Sequence, residues 1–214
     1  MSYHINRSKD ANYLQLCDYA IGYKVFDLCF SVIDDNRFPL WSASSKPDKH
    51  HYGQGGLVRH TLEVVDLCVA NNKLLVAGID ESKLFLAAFF HDVGKMWDYE
   101  PVTHLNPYTG IPNPWKEEMA EGYELRDWRG TSHKRNIHHI SRSSLVWNKA
   151  ANENNWNEKD TDEVTHAILA HHGCREWGSP ISPATKLGWM LHLCDNMSAK
   201  MDDCEKGDRF KDGK

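Results

Sequence analysis

The stretch KLFLAAFFHDVGKMWDYE, Lys83 to Glu100, decides how the rest of the chain is read. It opens with an unbroken apolar run, Leu84 to Phe90, which reads as a short helix over 81–91 with no polar face and therefore as a buried one. At its end His91 and Asp92 stand side by side, followed by Gly94 and Lys95. Neighbouring residues on a helix differ in direction by about 100°. Both side chains can face the interior only if something polar sits there. A metal ion would meet that need, because a carboxylate bonded to a cation has its charge neutralised and its lone pairs used.

Outward from this segment, helical periodicity dominates. Leu14, Cys17, Ile21, Val25, Leu28 and Val32 form one stripe over a long first helix. A Ser/Lys/Pro/Gly-rich loop from Arg37 to Gly56 follows, and the helical period returns from Leu57 to Leu75 with Leu62, Val65, Asp66 and Val69. Three more helices are read at about 137–153, 160–172 and 183–202, the second with acidic residues in its first turn. Between Met96 and Asn136 the period is lost. There Trp97, Tyr99, Tyr108, Trp115, Tyr123 and Trp128 are interleaved with Arg126, Arg129, Lys134 and Arg135, and the segment is expected to be a long functional loop. No alternation is long enough to predict a sheet. No repeat or linker divides the chain, so residues 1–214 are expected to form a single domain.

Composition narrows the function. The charged fraction of 26% and hydrophobic fraction of 41% are those of a globular protein. A formal charge of −5 argues against a surface built for duplex DNA or anionic membranes. The N-terminus lacks an apolar leader and no run reaches membrane-span length, so a cytoplasmic protein with no membrane partner is expected. The six Cys show no CxxC pairing and are read as reduced. Thirteen His is the count that departs from the ordinary, in a residue that is the commonest metal ligand. Separated helices offer His60, the His91–Asp92 pair, His138 and His139, His171 and His172, and Asp195 near their termini. Such a set of imidazoles and carboxylates suits manganese, iron, zinc or magnesium, with nickel and cobalt also open.

The ordered motifs "HHYGQGGLVRHT", "HDVGK", "HHGCREWGSP" and "HLCDNMSAKM" resemble those of the HD-domain phosphohydrolases, and specifically the HD domain of YhaM-type 3′–5′ exoribonucleases. The match covers about residues 50–202. The resemblance implies an all-α HD-domain helical bundle with a long aromatic and Arg-rich loop insertion at about 96–136. It implies one or two divalent ions, manganese first among them. His60, His91, Asp92 and Asp195 would hold the first, and Asp92 would bridge to a second held by His139 and His171. Which residue of each adjacent pair, His138/His139 and His171/His172, is the ligand stays open. Asp92, Lys95 and His172 would form the catalytic group, with Lys95 reaching a substrate phosphate as a point charge.

His51, Lys95, Arg126, Arg129, Arg175, Trp177 and Ser179 are the candidate substrate contacts. His50 and His51 are placed at the pocket mouth, and His4, His104, His133, His166 and His192 in structural or surface roles. Unlike those exoribonucleases, the chain shows no OB-type module before the HD region, and its 96–136 stretch is longer. These departures lead to the expectation of a lid that sandwiches a nucleobase, and of a nucleotide or a short or cyclic oligonucleotide as substrate. The expected reaction is metal-dependent phosphoester hydrolysis. The alternatives are a di-iron oxygenase of the same fold and a non-catalytic nucleotide-binding protein. A homo-oligomer is left open.

Overall fold

The computed structural model describes residues 11–105, 112–114 and 124–206. It is helical, as expected, but the first helix is two. Helix α1 (Ala11–Gly22) and helix α2 (Phe26–Ile33) are separated by a Schellman closure. Lys24 adopts φ 59°, its N–H donates to Ile21 O at 3.0 Å, and Val25 N–H donates to Ala20 O at 2.9 Å. Glycine is the usual residue at that left-handed position. A lysine occupies it here, so the sequence carries no visible stop. The break also rotates the buried face: Tyr13, Leu16 and Ala20 are buried, whereas Leu14 and Ile21 of the expected stripe are exposed.

Helix α3 (Gly56–Leu74) and helix α4 (Glu81–Phe90) follow. The Asp80 carboxylate caps α4 by accepting the Lys83 N–H at 3.0 Å, which meets one of the unpaired donors of the first turn. Every residue from Leu84 to Phe90 is fully buried. This helix is the axle of the fold and packs on α3 and on three later helices, α7 (His139–Glu153), α8 (Glu158–Ala170) and α9 (Lys186–Lys206). Phe89 meets Phe38 and Phe85, and Phe90 meets Trp147 at 5.3 Å between ring centroids. Between these helices lie the one-turn α5 (Lys95–Asp98) and the short α6 (Ser132–Asn136). Among the described residues no helix is long and apolar enough to cross a membrane.

The expectation of a loop without strands over 96–136 is corrected. The segment carries a three-stranded antiparallel sheet of order β2-β1-β3, with β1 at Tyr99–Leu105, β2 at Pro112–Pro114 and β3 at Glu124–Gly130. Prolines at 101, 112 and 114 and runs of charge hide these strands from a period-two reading. Tertiary contacts hold them. Trp41 donates its indole N–H to Tyr99 O at 2.8 Å and meets Trp128 edge-on at 5.3 Å. The rings expected to stack on a substrate are engaged with the protein itself: Trp97 lies under the guanidinium groups of Arg37 and Arg142, and Tyr99 lies under Lys134. Tyr108, Trp115, Tyr123 and the side chain of Arg126 fall outside the described residues.

Two glycines let backbone approach backbone around the buried helix. A Cβ on Gly56 would lie 1.9 Å from His51 O, and one on Gly94 would lie 2.2 Å from His139 O. The second contact seats the start of α7 directly beside the His91–Asp92 turn. Replacing Gly94 with Ala should therefore push α7 away and destabilise the protein by about 1–3 kcal/mol. Gly22→Ala, whose Cβ would meet nothing within 4 Å, should be neutral or slightly stabilising. Thermal unfolding of the two variants checks this, and equal melting temperatures would contradict it.

Candidate metal centre

Helix ends deliver most of the candidate ligands to one place. His60 lies in the first turns of α3, His91 closes α4, His139 opens α7, and His171 closes α8, with Asp92 and His172 one residue beyond their neighbours. Asp195 comes from the middle of α9. His60, His91, Asp92, His139 and His171 are buried, and Lys95 with them.

The atoms sort into two pockets. In the first, His60 Nε2 lies 3.1 Å from Asp195 Oδ1 and 3.3 Å from Asp92 Oδ2, and His91 Nε2 lies 3.4 Å from Asp92 Oδ2. In the second, Asp92 Oδ1 lies 3.5 Å from His139 Nε2 and 3.7 Å from His171 Nε2, and His172 Nε2 is 3.4 Å from His139 Nε2. One carboxylate thus gives one oxygen to each pocket.

The outer ring nitrogens decide where the protons are. His91 Nδ1 donates to Ala88 O and His171 Nδ1 to Ile168 O, both at 2.7 Å. Ser198 gives its hydroxyl proton to Glu63 Oε2 at 2.9 Å, so it accepts from His60 Nδ1 at 3.1 Å. His139 Nδ1 donates to Asp98 Oδ2 at 3.1 Å, and its backbone N–H reaches the same oxygen at 3.0 Å. A neutral imidazole protonated at Nδ1 has a lone pair at Nε2. Free of protons at Nε2, these four rings offer lone pairs inward, and His60 Nε2 lies within 3.3 Å of His91 Nε2.

Lone pairs facing lone pairs and carboxylates repel unless a cation lies between them. Two of the buried atoms, Asp92 Oδ1 and His171 Nε2, have no hydrogen-bond partner, and an orphaned buried polar atom costs about 1–3 kcal/mol. Divalent metal ions, with Asp92 between two of them, would satisfy both atoms. The donor set therefore fits the group that such a site implies.

The electrostatics agree. Burial works against ionising Asp92, yet Lys95 and His91 hold it well below the usual carboxylate range. Burial likewise opposes Asp195, which the His60 and His91 rings beside it hold well below the usual carboxylate range. Burial lowers His139 to about 4 against the pull of Asp98, and it also lowers His171 and His172. His91 behaves differently. Burial opposes its charge, but Asp92 and Asp195 outweigh burial and raise the ring to about 10.

A family profile described as HD domain matches residues 57–200. The chain belongs to the HD-domain family. No solved structure matches it. In this HD domain the six expected metal ligands, His60, His91, Asp92, His139, His171 and Asp195, come together. Of the pair left open at 171 and 172, both rings reach the second pocket, His172 Nε2 lying 3.4 Å from His139 Nε2. His138 holds a left-handed φ of 69° at the start of α7 and stacks on His139 at 4.1 Å.

The expected substrate contacts are placed unevenly. Lys95 ion-pairs with Asp92 Oδ2. His51 is fully buried and spends Nε2 on Glu63 at 2.8 Å. Arg175 is exposed, and Trp177 lies on the His192 ring at 5.7 Å. Ser179 is buried with an unpaired hydroxyl. Arg129 points to Glu100 at 2.7 Å on the exposed sheet. Three positions carry no signal in the sequence: Asp98 and Ser198 touch the far sides of His139 and His60, and Glu63 stands behind Ser198. His133, expected in a structural or surface role, donates from Nδ1 to Asp98 Oδ1 at 2.7 Å. No motif spacing marks such partners.

Two outcomes follow for metal loading. Below pH 10 the raised His91 ring carries a proton that a metal must displace, so filling the first pocket should release about one proton. The second pocket, already neutral, should release none, and first-pocket affinity should rise with pH. Calorimetric titrations in buffers of different ionisation enthalpy count these protons, and equal release at both steps would contradict the assignment. Asp98→Ala should weaken the second pocket by about 10–100-fold and spare the first, as read by metal content after stepwise chelation.

Proposed function

We propose that this HD domain is a divalent-metal-dependent phosphohydrolase acting on the phosphoester bond of a nucleotide or of a short or cyclic oligonucleotide. The observation that carries this reading is the division of the Asp92 carboxylate between two histidine pockets. Two bound divalent ions, manganese first among them, would supply the Lewis acidity to activate water and to offset charge on the attacking and leaving oxygens. The chain does the rest. Asp92 keeps the pockets in register, Asp98 and the Ser198–Glu63 pair fix the rings of His139 and His60, and burial keeps His139, His171 and His172 neutral at neutral pH.

Lys95 is the cation at hand for phosphate. It is buried and charged, with burial opposed by Asp92 and Tyr99, and its ammonium lies on the carboxylate that links the pockets. A phosphate oxygen entering the site would find in it a point charge with free donors. Arg175 and Trp177 follow His172 closely in the chain and are the exposed groups from which a substrate grip is drawn. A net charge of −5 favours a small ligand over a long strand, since few backbone phosphates could be neutralised.

A screen of the manganese-loaded protein against nucleotides, cyclic dinucleotides and single strands of increasing length tests the reading. Efficiency should plateau or fall beyond a few nucleotides. Asp92→Asn should lower kcat by about 10³-fold or more and lose metal from both pockets, whereas His60→Ala should empty mainly the first. Efficiency that rises steadily with strand length would contradict the small-substrate reading. An iron-dependent, O₂-consuming reaction would replace hydrolysis with oxygenase chemistry.

A further inference from the structure

The hydrogen bonds around Glu63 reach beyond the two pockets. Its Oε2 accepts from Ser198 Oγ at 2.9 Å and from His51 Nε2 at 2.8 Å. The first branch ends on His60 Nδ1. In the second, a His51 protonated at Nε2 has its lone pair at Nδ1, and the His50 Nδ1 lies 3.4 Å from it. The contact is a hydrogen bond only with one proton on it, and His51 Nδ1 carries none, so the proton belongs to His50 Nδ1. Its Nε2 is then left unprotonated.

His51 cannot turn to break this order. It is fully buried, holds φ 49°, and its backbone N–H donates to Asp202 Oδ2 at 2.7 Å. His50 differs from its neighbour in being only partly buried. Its ring packs 5.1 Å from that of His60, a ligand of the first pocket, so it stands where the pocket meets solvent. Among the described residues its Nε2 makes no hydrogen bond.

We infer that Glu63 is a positioning residue that sets the proton placement of His60, His51 and His50 through one oxygen, and that His50 thereby offers Nε2 as an acceptor for a substrate hydroxyl. The substrate half of this inference rests on the phosphohydrolase reading; the proton-placement half does not. Phosphate oxygens are themselves acceptors and are turned away by an unprotonated nitrogen. Lys95 serves them instead. The donor a nucleotide carries closest to its phosphorus is a sugar hydroxyl, so the site should favour ribose over deoxyribose next to the scissile bond.

Two measurements decide the matter. Long-range ¹H–¹⁵N spectra of the zinc-loaded protein should show His50 protonated at Nδ1 and His51 at Nε2. Glu63→Ala should disturb both and leave His91 and His171, held by backbone carbonyls, unchanged. A His50 protonated at Nε2, or one indifferent to Glu63, overturns the proton placement.

With manganese, wild type should hydrolyse a ribodinucleotide about three- to tenfold more efficiently than its deoxy counterpart. His50→Ala should erase that preference by lowering kcat/KM for the ribo substrate alone, with metal content unchanged. His50→Gln, which keeps an acceptor oxygen, should restore part of it. Equal losses on both substrates overturn the hydroxyl assignment. Turnover of neither by wild type sinks the phosphohydrolase reading and the hydroxyl assignment with it, while the spectra still decide the role of Glu63.

Discussion

The buried carboxylate of Asp92, with one oxygen committed to each of two histidine pockets, is the constraint around which this protein is organised. Fully buried and held ionised, it is a charge that the interior could not keep unpaired. Lys95 balances one oxygen, and the other has no hydrogen-bond partner. The fold can be read as the apparatus that brings enough lone pairs and positive charge to this one side chain.

That apparatus has a mechanical part and an electrical part. Mechanically, α4 is apolar on all sides and is gripped by α3, α7, α8 and α9, so its end cannot drift. Gly94 removes the side chain that would keep α7 from closing on it. Electrically, each inward ring is pinned by an outward donor bond: two to carbonyls one turn back, one to Ser198, one to Asp98. Such outer partners set tautomer and orientation together. They convert a flexible imidazole into a ligand aimed in advance, which limits the entropy lost when a cation binds.

The helical architecture was legible in the sequence, and so was the order of the six histidine and aspartate positions that the fold brings together, because both leave local signals. An apolar run ending in His91–Asp92 carries a charge into the core, where only a cation can balance it. The family motifs mark His60, His139, His171 and Asp195 by order and spacing. What was not legible depends on long-range contact. Lys24 ends α1 where a glycine would have announced the turn. The strands at 99–105 and 124–130 are held by Trp41 and Trp128 more than by their own pattern, and the same region engages Trp97 and Tyr99, rings expected to stack on a base, with cations of the protein. Asp98, Glu63 and Ser198 act on the far side of their histidines, at positions fixed only by the folded chain.

The most direct test of the account is anomalous diffraction from crystals of the manganese-loaded protein, collected on either side of the manganese edge. The account predicts two peaks that share Asp92, one facing His60, His91 and Asp195, the other facing His139, His171 and His172. A single peak at saturating manganese, with Asp92 Oδ1 turned to a protein donor or water, would contradict it.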